Sequence, residues 1–339
     1  MATAALLQKQ KRKSMKKRNQ SKQNNREISI LAGNSNPVLT NAICAHLGVS
    51  ADKAIVDRFP GGEIRVQIQD NIRGKDVFII QSTSTPPNDN LMELLILIDA
   101  ARRASASRIT AVLPFYGYAR QDRKDKPRVP ITAKLVANLL VSAGASRILT
   151  LDLHAGQIQG FFDIPVDHLY SINVLVKYFI KKRIKDLVIV SPDVGGLKLA
   201  RAYSKILDAP LAIVDKRRES STQTKVMSLI GDVKDRNVII VDDLISTGSS
   251  LFEAVRGLKQ FGALDIYACI VHPVLAGPAV ERLKNSELRE LVVSDSISIP
   301  KEKQIDKIKV LSVAPLLSEA IRRIHYSESV STLFKEMWV

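Results

Sequence analysis

From Ile28 onward the chain alternates short apolar runs of strand length with segments whose apolar residues recur at helical spacing, and this alternation constrains the fold more than any other feature. The runs 28–31, 77–80, 109–113, 148–151, 187–190, 211–214, 238–241 and 266–271 predict strands, most of them apolar throughout, as parallel strands covered on both faces are. Between them, residues 90–104, 131–143, 197–207 and 251–261 predict helices. Leu251, Ala254, Val255, Leu258 and Phe261 form one such stripe, suited to packing on a sheet. The expected class is α/β, with mainly parallel sheets flanked by helices.

A length of 339 residues exceeds one ordinary domain. A weak internal repeat points the same way. KDVFIIQSTS from Lys75, a helix and RITAVLP ending at Pro114 parallel RNVIIVDDLIS from Arg236, a helix and IYACIVHP ending at Pro273. The offset, about 160 residues, is close to half of the chain beyond residue 27. The expected division is a basic tail at 1–26, an N-terminal domain at 27–170, a C-terminal domain at 171–325 and a closing segment at 326–339.

The formal charge of +16 would signal nucleic acid if it were spread over the fold. It is not: nine Lys or Arg and no acid precede Glu27, leaving +7 for the remainder. A nucleic-acid partner is therefore expected only through the tail, whose Lys, Gln and Asn predict disorder. Apolar residues make up 45% and charged residues 25%, which excludes a globally disordered, collagenous or coiled-coil chain. No stretch approaches eighteen uncharged apolar residues, so no membrane span is expected. The apolar run 2–7 is too short for a secretory signal. Two cysteines, Cys44 and Cys269, lie in apolar segments and fit a reducing, cytoplasmic setting.

The strongest chemical signal is VDDLISTGSS at 241–250, where an apolar strand delivers Asp242 and Asp243 at its carboxyl end and a Ser/Thr/Gly turn enters a helix. Unpaired helix-start N–H groups, the close approach allowed by Gly248, and the hydroxyls of Ser246, Thr247, Ser249 and Ser250 suit a phosphate monoester. The two acids suit sugar hydroxyls or a metal. Ordinary capping would also use these residues, although two adjacent acids at a buried strand end are costly without partners. SPDVGG at 191–196 repeats the plan with Asp193 and two glycines, as a diphosphate turn or a capped tight turn would. VDKRRES places Lys216, Arg217 and Arg218 between these turns, ahead of a polar stretch expected to be mobile; cations there can close on a transferring phosphoryl group. LDLHAGQIQGFFD places Asp152 and His154 on one strand face, a possible Mg²⁺ site directly or through water. YGYARQDRKDKPR carries five cations beside two tyrosines and suits either nucleic acid or a nucleoside triphosphate. Neither a P-loop nor a dinucleotide fingerprint occurs.

Together these segments resemble the ribose-phosphate diphosphokinases, or phosphoribosyl diphosphate synthetases, of the phosphate-activated class. NDNLMELLILIDAARRASASRITAVLPFYGYARQDRKDKPRVPITAKLVANLL, LDLHAGQIQGFFDIPVDHLY, VSPDVGG, VDKRRE, IGDVKDRNVIIVDD and AIRRIHYSESVSTLF look like that family's blocks in its order. The resemblance implies two type I phosphoribosyltransferase-like domains in a homo-oligomer, with a hexamer as the family's pattern. It implies transfer of the diphosphoryl group of ATP to O1 of ribose 5-phosphate with Mg²⁺. By position it implies Phe59 and Glu63 at an adenine pocket supplied across a subunit contact, Arg120 and Gln121 at ATP, and His154 and Asp193 at Mg²⁺. Asp242, Asp243, Thr247, Ser249 and Ser250 match the ribose-phosphate loop, and Lys216 and Arg218 the cations on the transferred group. Three positions depart from the pattern. Gly61 stands for an acid or amide of the adenine segment, Ser246 for the third acid of DDxxDT, and Gly156 for a frequent Ser near the regulatory site. The first two keep a phosphoribosyltransferase and a non-catalytic regulatory homologue open as alternatives.

Overall fold

The structure is a computed structural model that describes residues 27–217 and 226–334. In the first half, β1 (Ile28–Ala32) leads through α1 (Pro37–Leu47) into the ribbon β2 (Ala54–Arg58) and β3 (Ile64–Ile68). β4 (Asp76–Ile80), α2 (Pro87–Arg103), β5 (Arg108–Leu113), α3 (Thr132–Ala143), β6 (Arg147–Leu151) and β7 (Val166–Leu169) complete that half. The second half contains α4 (Ile172–Lys182), β8 (Leu187–Ser191), α5 (Leu197–Leu207), β9 (Leu211–Arg217), β10 (Val226–Ile230) and β11 (Asn237–Ile245). It closes with α6 (Ser249–Gln260), β12 (Ile266–Pro273), α7 (Ala279–Lys284), β13 (Leu288–Ser294), β14 (Ile308–Leu311) and α8 (Ala314–His325).

Two sheets result, ordered β1-β4-β5-β6-β7 and β10-β9-β8-β11-β12-β13-β14, with β2 and β3 forming a separate antiparallel pair. All neighbours in the two sheets run parallel except β10 on β9. The internal repeat is real in topology: Val77 pairs with Ile109 across β4 and β5, and Val238 with Ile266 across β11 and β12. Complete burial of β4 and β12 explains their unbroken apolar runs.

Five strands beyond those expected, β2, β3, β7, β10 and β14, are short and carry charged or polar residues among the apolar ones. β13 was also missed, although four of its residues in a row are buried. One boundary changes the site. β11 does not end at Val241 but continues to Ile245, because β12 runs alongside it to Pro273 and pairs Asp242 with Ile270 and Leu244 with His272. The two acids therefore lie within the strand.

The halves share one core cluster, in which Ile30, Phe78 and Leu149 join Ile189, Tyr203, Ile239, Ile321 and Ile324. The last helix, α8, returns to pack on α1 of the first half. A buried charge cluster fastens it there: the Arg108 Nε donates to the Asp76 Oδ1 at 2.7 Å, and the Arg108 Nη2 to the Ile324 carbonyl at 2.9 Å. The His325 Nδ1 lies 2.9 Å from the Asp76 Oδ2. Burial alone would push the Asp76 carboxyl up, but its bonds to His325 and Arg108 hold it below the ordinary range. Cys44 and Cys269 are free thiols in the core, as expected, and burial pushes Cys269 up to about 12. Among the described residues no helix is long and apolar enough to cross a membrane.

Candidate active site

A cleft of about 760 Å³ opens between the carboxyl ends of the two sheets. The first half contributes Arg120 and Gln121, which come after β5, and His154, which comes after β6; the second contributes Gly195 and Gly196 after β8, and Asp242 and Asp243 of β11. Each parallel strand delivers its following loop to the same edge, so residues far apart in sequence meet there.

His154 and Asp243 join the halves: the His154 Nδ1 lies 2.6 Å from the Asp243 Oδ2. That bond and the carboxylate charge raise the imidazole's pKa. Burial would raise Asp243, but His154 holds it down instead. Asp242 moves the other way, pushed up by burial and by the neighbouring charges of Asp243 and Asp193. The turn after β8, through Gly195 and Gly196, and strand β11, through Asp242 and Asp243, thus face one cleft.

The SPDVGG turn is drawn tight by its own side chains. The Ser191 Oγ donates to the Asp193 carbonyl at 2.6 Å, and the Gly196 N–H donates to the Asp193 Oδ1 at 3.0 Å. A Cβ on Gly196 would sit 2.8 Å from the Ser191 Oγ, so a larger residue there would push that hydroxyl off the Asp193 carbonyl. The 246–250 turn is similar: Gly248 has φ +75°, and a Cβ there would fall 2.3 Å from the Phe252 ring. Its hydroxyls are organised from outside. The Arg282 Nη1 of α7 donates to the Thr247 carbonyl at 2.9 Å and to the Ser249 Oγ at 2.5 Å. Sequence reasoning missed Arg282, because nothing local ties a surface arginine to a turn some thirty residues upstream.

Asp152 and His154 do not share a strand face. β6 ends at Leu151, and Asp152 takes φ +38°, turning its carboxylate inward to accept the Ser171 N–H at 2.7 Å. Burial raises Asp152 to about 7, and from the cleft lining its carboxylate is committed to the backbone of the turn after β7. Tyr116, the first tyrosine of the cationic segment, is a core residue whose hydroxyl donates to the Ala133 carbonyl at 2.8 Å. Further lining residues passed over in the sequence are His168, Tyr170 and Lys198, which come from β7, the turn after it and the start of α5.

Several expected site residues lie elsewhere. Phe59 and Glu63 close the β2–β3 ribbon, joined by the Phe59 N–H to the Glu63 carbonyl at 2.9 Å, and they do not line the cleft. Phe59 is 48% exposed, and a Cβ on Gly61 would meet nothing within 4 Å. Ser246, Thr247, Gly248, Ser249 and Ser250 come after Asp243, beyond the cleft lining proper. Gly156 stands in the cleft wall itself. Lys216 falls at the end of β9, and Arg218 lies outside the described residues.

For a metal, the donor set is sparse: among the described residues no three His, Cys, Asp or Glu side chains group to hold an ion. A Mg²⁺ carried by a nucleotide keeps waters and phosphate oxygens and needs only one or two protein carboxylates. Asp193, with one oxygen committed to Gly196, and His154, with Nδ1 committed to Asp243, each keep one donor atom for such a complex, the imidazole better through water.

Two α/β halves with anion turns at the strand ends of a shared cleft define a class: phosphoribosyltransferase-like enzymes acting on phosphate esters. Comparisons with known proteins narrow it. Residues 28–144 match the N-terminal domain of ribose phosphate pyrophosphokinase, and residues 217–335 match the phosphoribosyl synthetase-associated domain. The ribose-phosphate pyrophosphokinases of Bacillus cereus and Corynebacterium ammoniagenes are each 54% identical over 310 residues, covering 91% of this chain and 98% of theirs. A crystal structure of phosphoribosylpyrophosphate synthetase from Mycobacterium smegmatis matches with a TM-score of 0.85 at 41% identity, covering 89% of this chain and 100% of that one. The chain belongs to the ribose-phosphate pyrophosphokinase family. It is an enzyme, a diphosphotransferase of 5-phosphoribosyl 1-diphosphate synthesis.

Proposed function

We propose that the cleft binds ATP against the first half and ribose 5-phosphate against the second, and transfers the diphosphoryl group between them. The observation that carries this reading is the single cleft lined by Arg120, Gln121 and His154 on one side and by Gly195, Gly196, Asp242 and Asp243 on the other. Arg120 and Gln121 hold the nucleotide phosphates; Asp242 and Asp243 accept from ribose hydroxyls; the 246–250 turn takes the 5-phosphate through its N–H groups and hydroxyls.

In the transfer, O1 of ribose 5-phosphate attacks the β-phosphorus, the bond from that phosphorus to the α-phosphate oxygen breaks, and AMP leaves with the electron pair. The O1 proton passes to solvent. Such chemistry rests on positioning and charge stabilisation rather than on a protein nucleophile. Lys216 and Arg218 are assigned to the charge that develops on the transferring group. Mg²⁺, bound with ATP near Asp193 and His154, would neutralise phosphate charge.

The exposed Phe59 and Glu63 are assigned to the adenine of a neighbouring subunit, which makes the working unit a homo-oligomer; the two free, buried thiols support a reducing, cytoplasmic setting. The 27–170 and 171–325 division into an ATP side and a ribose 5-phosphate side comes from the same assignment, with α8 reaching back to brace the first. Ser246, in place of an acid, leaves ribose recognition to Asp242, Asp243 and a hydroxyl. Incubation with ATP, Mg²⁺ and ribose 5-phosphate tests the reading: AMP and 5-phosphoribosyl 1-diphosphate should form in equal amounts. Formation of neither would overturn it, and would return the regulatory alternative that Gly61 and Ser246 raised.

A further inference from the structure

Behind the cleft, a buried histidine from the second sheet holds the backbone of the first. His272, the last residue but one of β12, lies in register with Leu244, the residue after Asp243. It is 2% exposed. Its Nε2 lies 3.0 Å from the Asp152 carbonyl oxygen, which can only accept, so Nε2 carries the proton. Its Nδ1, 2.8 Å from the Ser296 Oγ, must then accept from that hydroxyl. The Ser296 carbonyl in turn takes the Ser82 hydroxyl of the first half at 2.6 Å, and the edge of Phe115 packs on the imidazole at 5.0 Å.

The segment gripped by His272 is the one that presents His154 to the cleft. Asp152 departs from strand geometry at φ +38°, and Leu153 donates its N–H to the His168 Nε2 at 2.9 Å. Asp152 also donates its N–H to the Leu169 carbonyl at 2.9 Å and accepts from Ser171 through its carboxylate. Those three restraints come from the first sheet or the turn after it. The bond from His272 ties Asp152 to the second. Two residues later His154 meets Asp243, one strand over from His272. The space enclosed between them, lined by Phe115, Asp152, His154, Asp243 and His272, holds only about 10 Å³, so a shift of either sheet is transmitted rather than absorbed.

We infer that His272 is a positioning residue for the transfer: by fixing the Asp152 carbonyl to β12, it sets His154 and the ATP side of the cleft in register with the ribose 5-phosphate side. His272 touches neither substrate. The inference deepens the proposed function and rests on it for its kinetic consequence, since misplacement of reacting groups by about an ångström costs on the order of 10²-fold in rate.

The test compares His272→Phe, which keeps the ring but cannot donate, with His272→Gln, whose amide N–H reaches toward the place of Nε2–H. Expected in the Phe variant is a fall in kcat of about 10²-fold, with the KM for ATP and for ribose 5-phosphate each within about threefold of wild type. The Gln variant should recover most of the loss. Hydrogen–deuterium exchange supplies a readout independent of turnover: amides at 152–156 should exchange faster in the Phe variant and return toward wild type in the Gln variant. Unchanged exchange and unchanged kcat in the Phe variant would overturn the inference. So would equal losses in both variants that track the drop in Tm, because those mark a core residue and nothing more. If wild type forms no AMP, the proposed function fails, while exchange at 152–156 still decides whether His272 holds the segment.

Discussion

The two halves share a strand order, yet each uses its extra antiparallel ribbon differently. In the first, β2 and β3 stand apart from the main sheet and end in an exposed aromatic tip. In the second, β9 lies in the main sheet and β10 adds to its edge, with Lys216 at the end of β9 where the chain leads to Arg218. A ribbon free of the sheet presents its tip away from its own cleft, where only another molecule can use it. A ribbon fused to the sheet sets β9 directly beside β8, the strand that leads into the Asp193 turn. The proposed function gives adenine contacts to the first ribbon and transition-state charge to the second.

That contrast is broken most easily at the cations. Lys216→Ala or Arg218→Ala should lower kcat by about 10²-fold or more, with KM changed far less and the melting temperature unaltered, as steady-state kinetics and calorimetry would register. Equal activity in both variants would move the transition-state charge away from the second ribbon.

A pH titration sharpens the comparison on the side of the first sheet. Burial, with the positive charge of Lys198 adding to it, lowers His168 to about 4. Its folded value lies below its unfolded one, so the unfolded chain takes up the proton first. The stability it supports is present in full above pH 6.5 and is lost as pH falls from there toward 4, by at most about 3 kcal/mol. Asp152, raised to about 7, acts in the opposite sense over part of that range, so the measurement is a difference. Urea unfolding of His168→Gln across pH 4–7 should show a shallower acid-side decline than wild type.

At the 246–250 turn a smaller loss is expected. Gly248→Ala meets both a left-handed backbone and the Phe252 ring, and should cost about 1–3 kcal/mol of stability and raise the KM for ribose 5-phosphate more than that for ATP. The smallest effect on stability belongs to Phe59. Exposed on its own chain, Phe59→Ala should change unfolding free energy by less than about 0.5 kcal/mol while raising the KM for ATP several-fold. An unchanged KM would leave the first ribbon without a role in the adenine site.

Strands such as β4 and β12 were legible because burial on both faces writes itself as an unbroken apolar run. The ribbon strands β2 and β3 were not: five residues each, with Asp57, Arg58, Arg65 and Gln67 among the apolar positions, they lack a fully buried face. The acids of β11, the Gly196 turn and His154 were found in the sequence because strand ends and glycine turns are local signals. His272 and Arg282 were not, since their partners, Asp152 and Thr247, are fixed by sheet order and helix packing rather than by spacing along the chain. Asp152 itself was misplaced by assuming that strand alternation runs past Leu151, where a left-handed residue ends it.

The most direct test is a crystal structure with a non-hydrolysable ATP analogue, Mg²⁺ and ribose 5-phosphate together. Both ligands should lie in the cleft between Arg120 and Asp242, with the sugar's O1 in line behind the β-phosphorus and opposite the α-phosphate oxygen. Ligands bound on separate faces, or an O1 turned away from the nucleotide, would contradict the account.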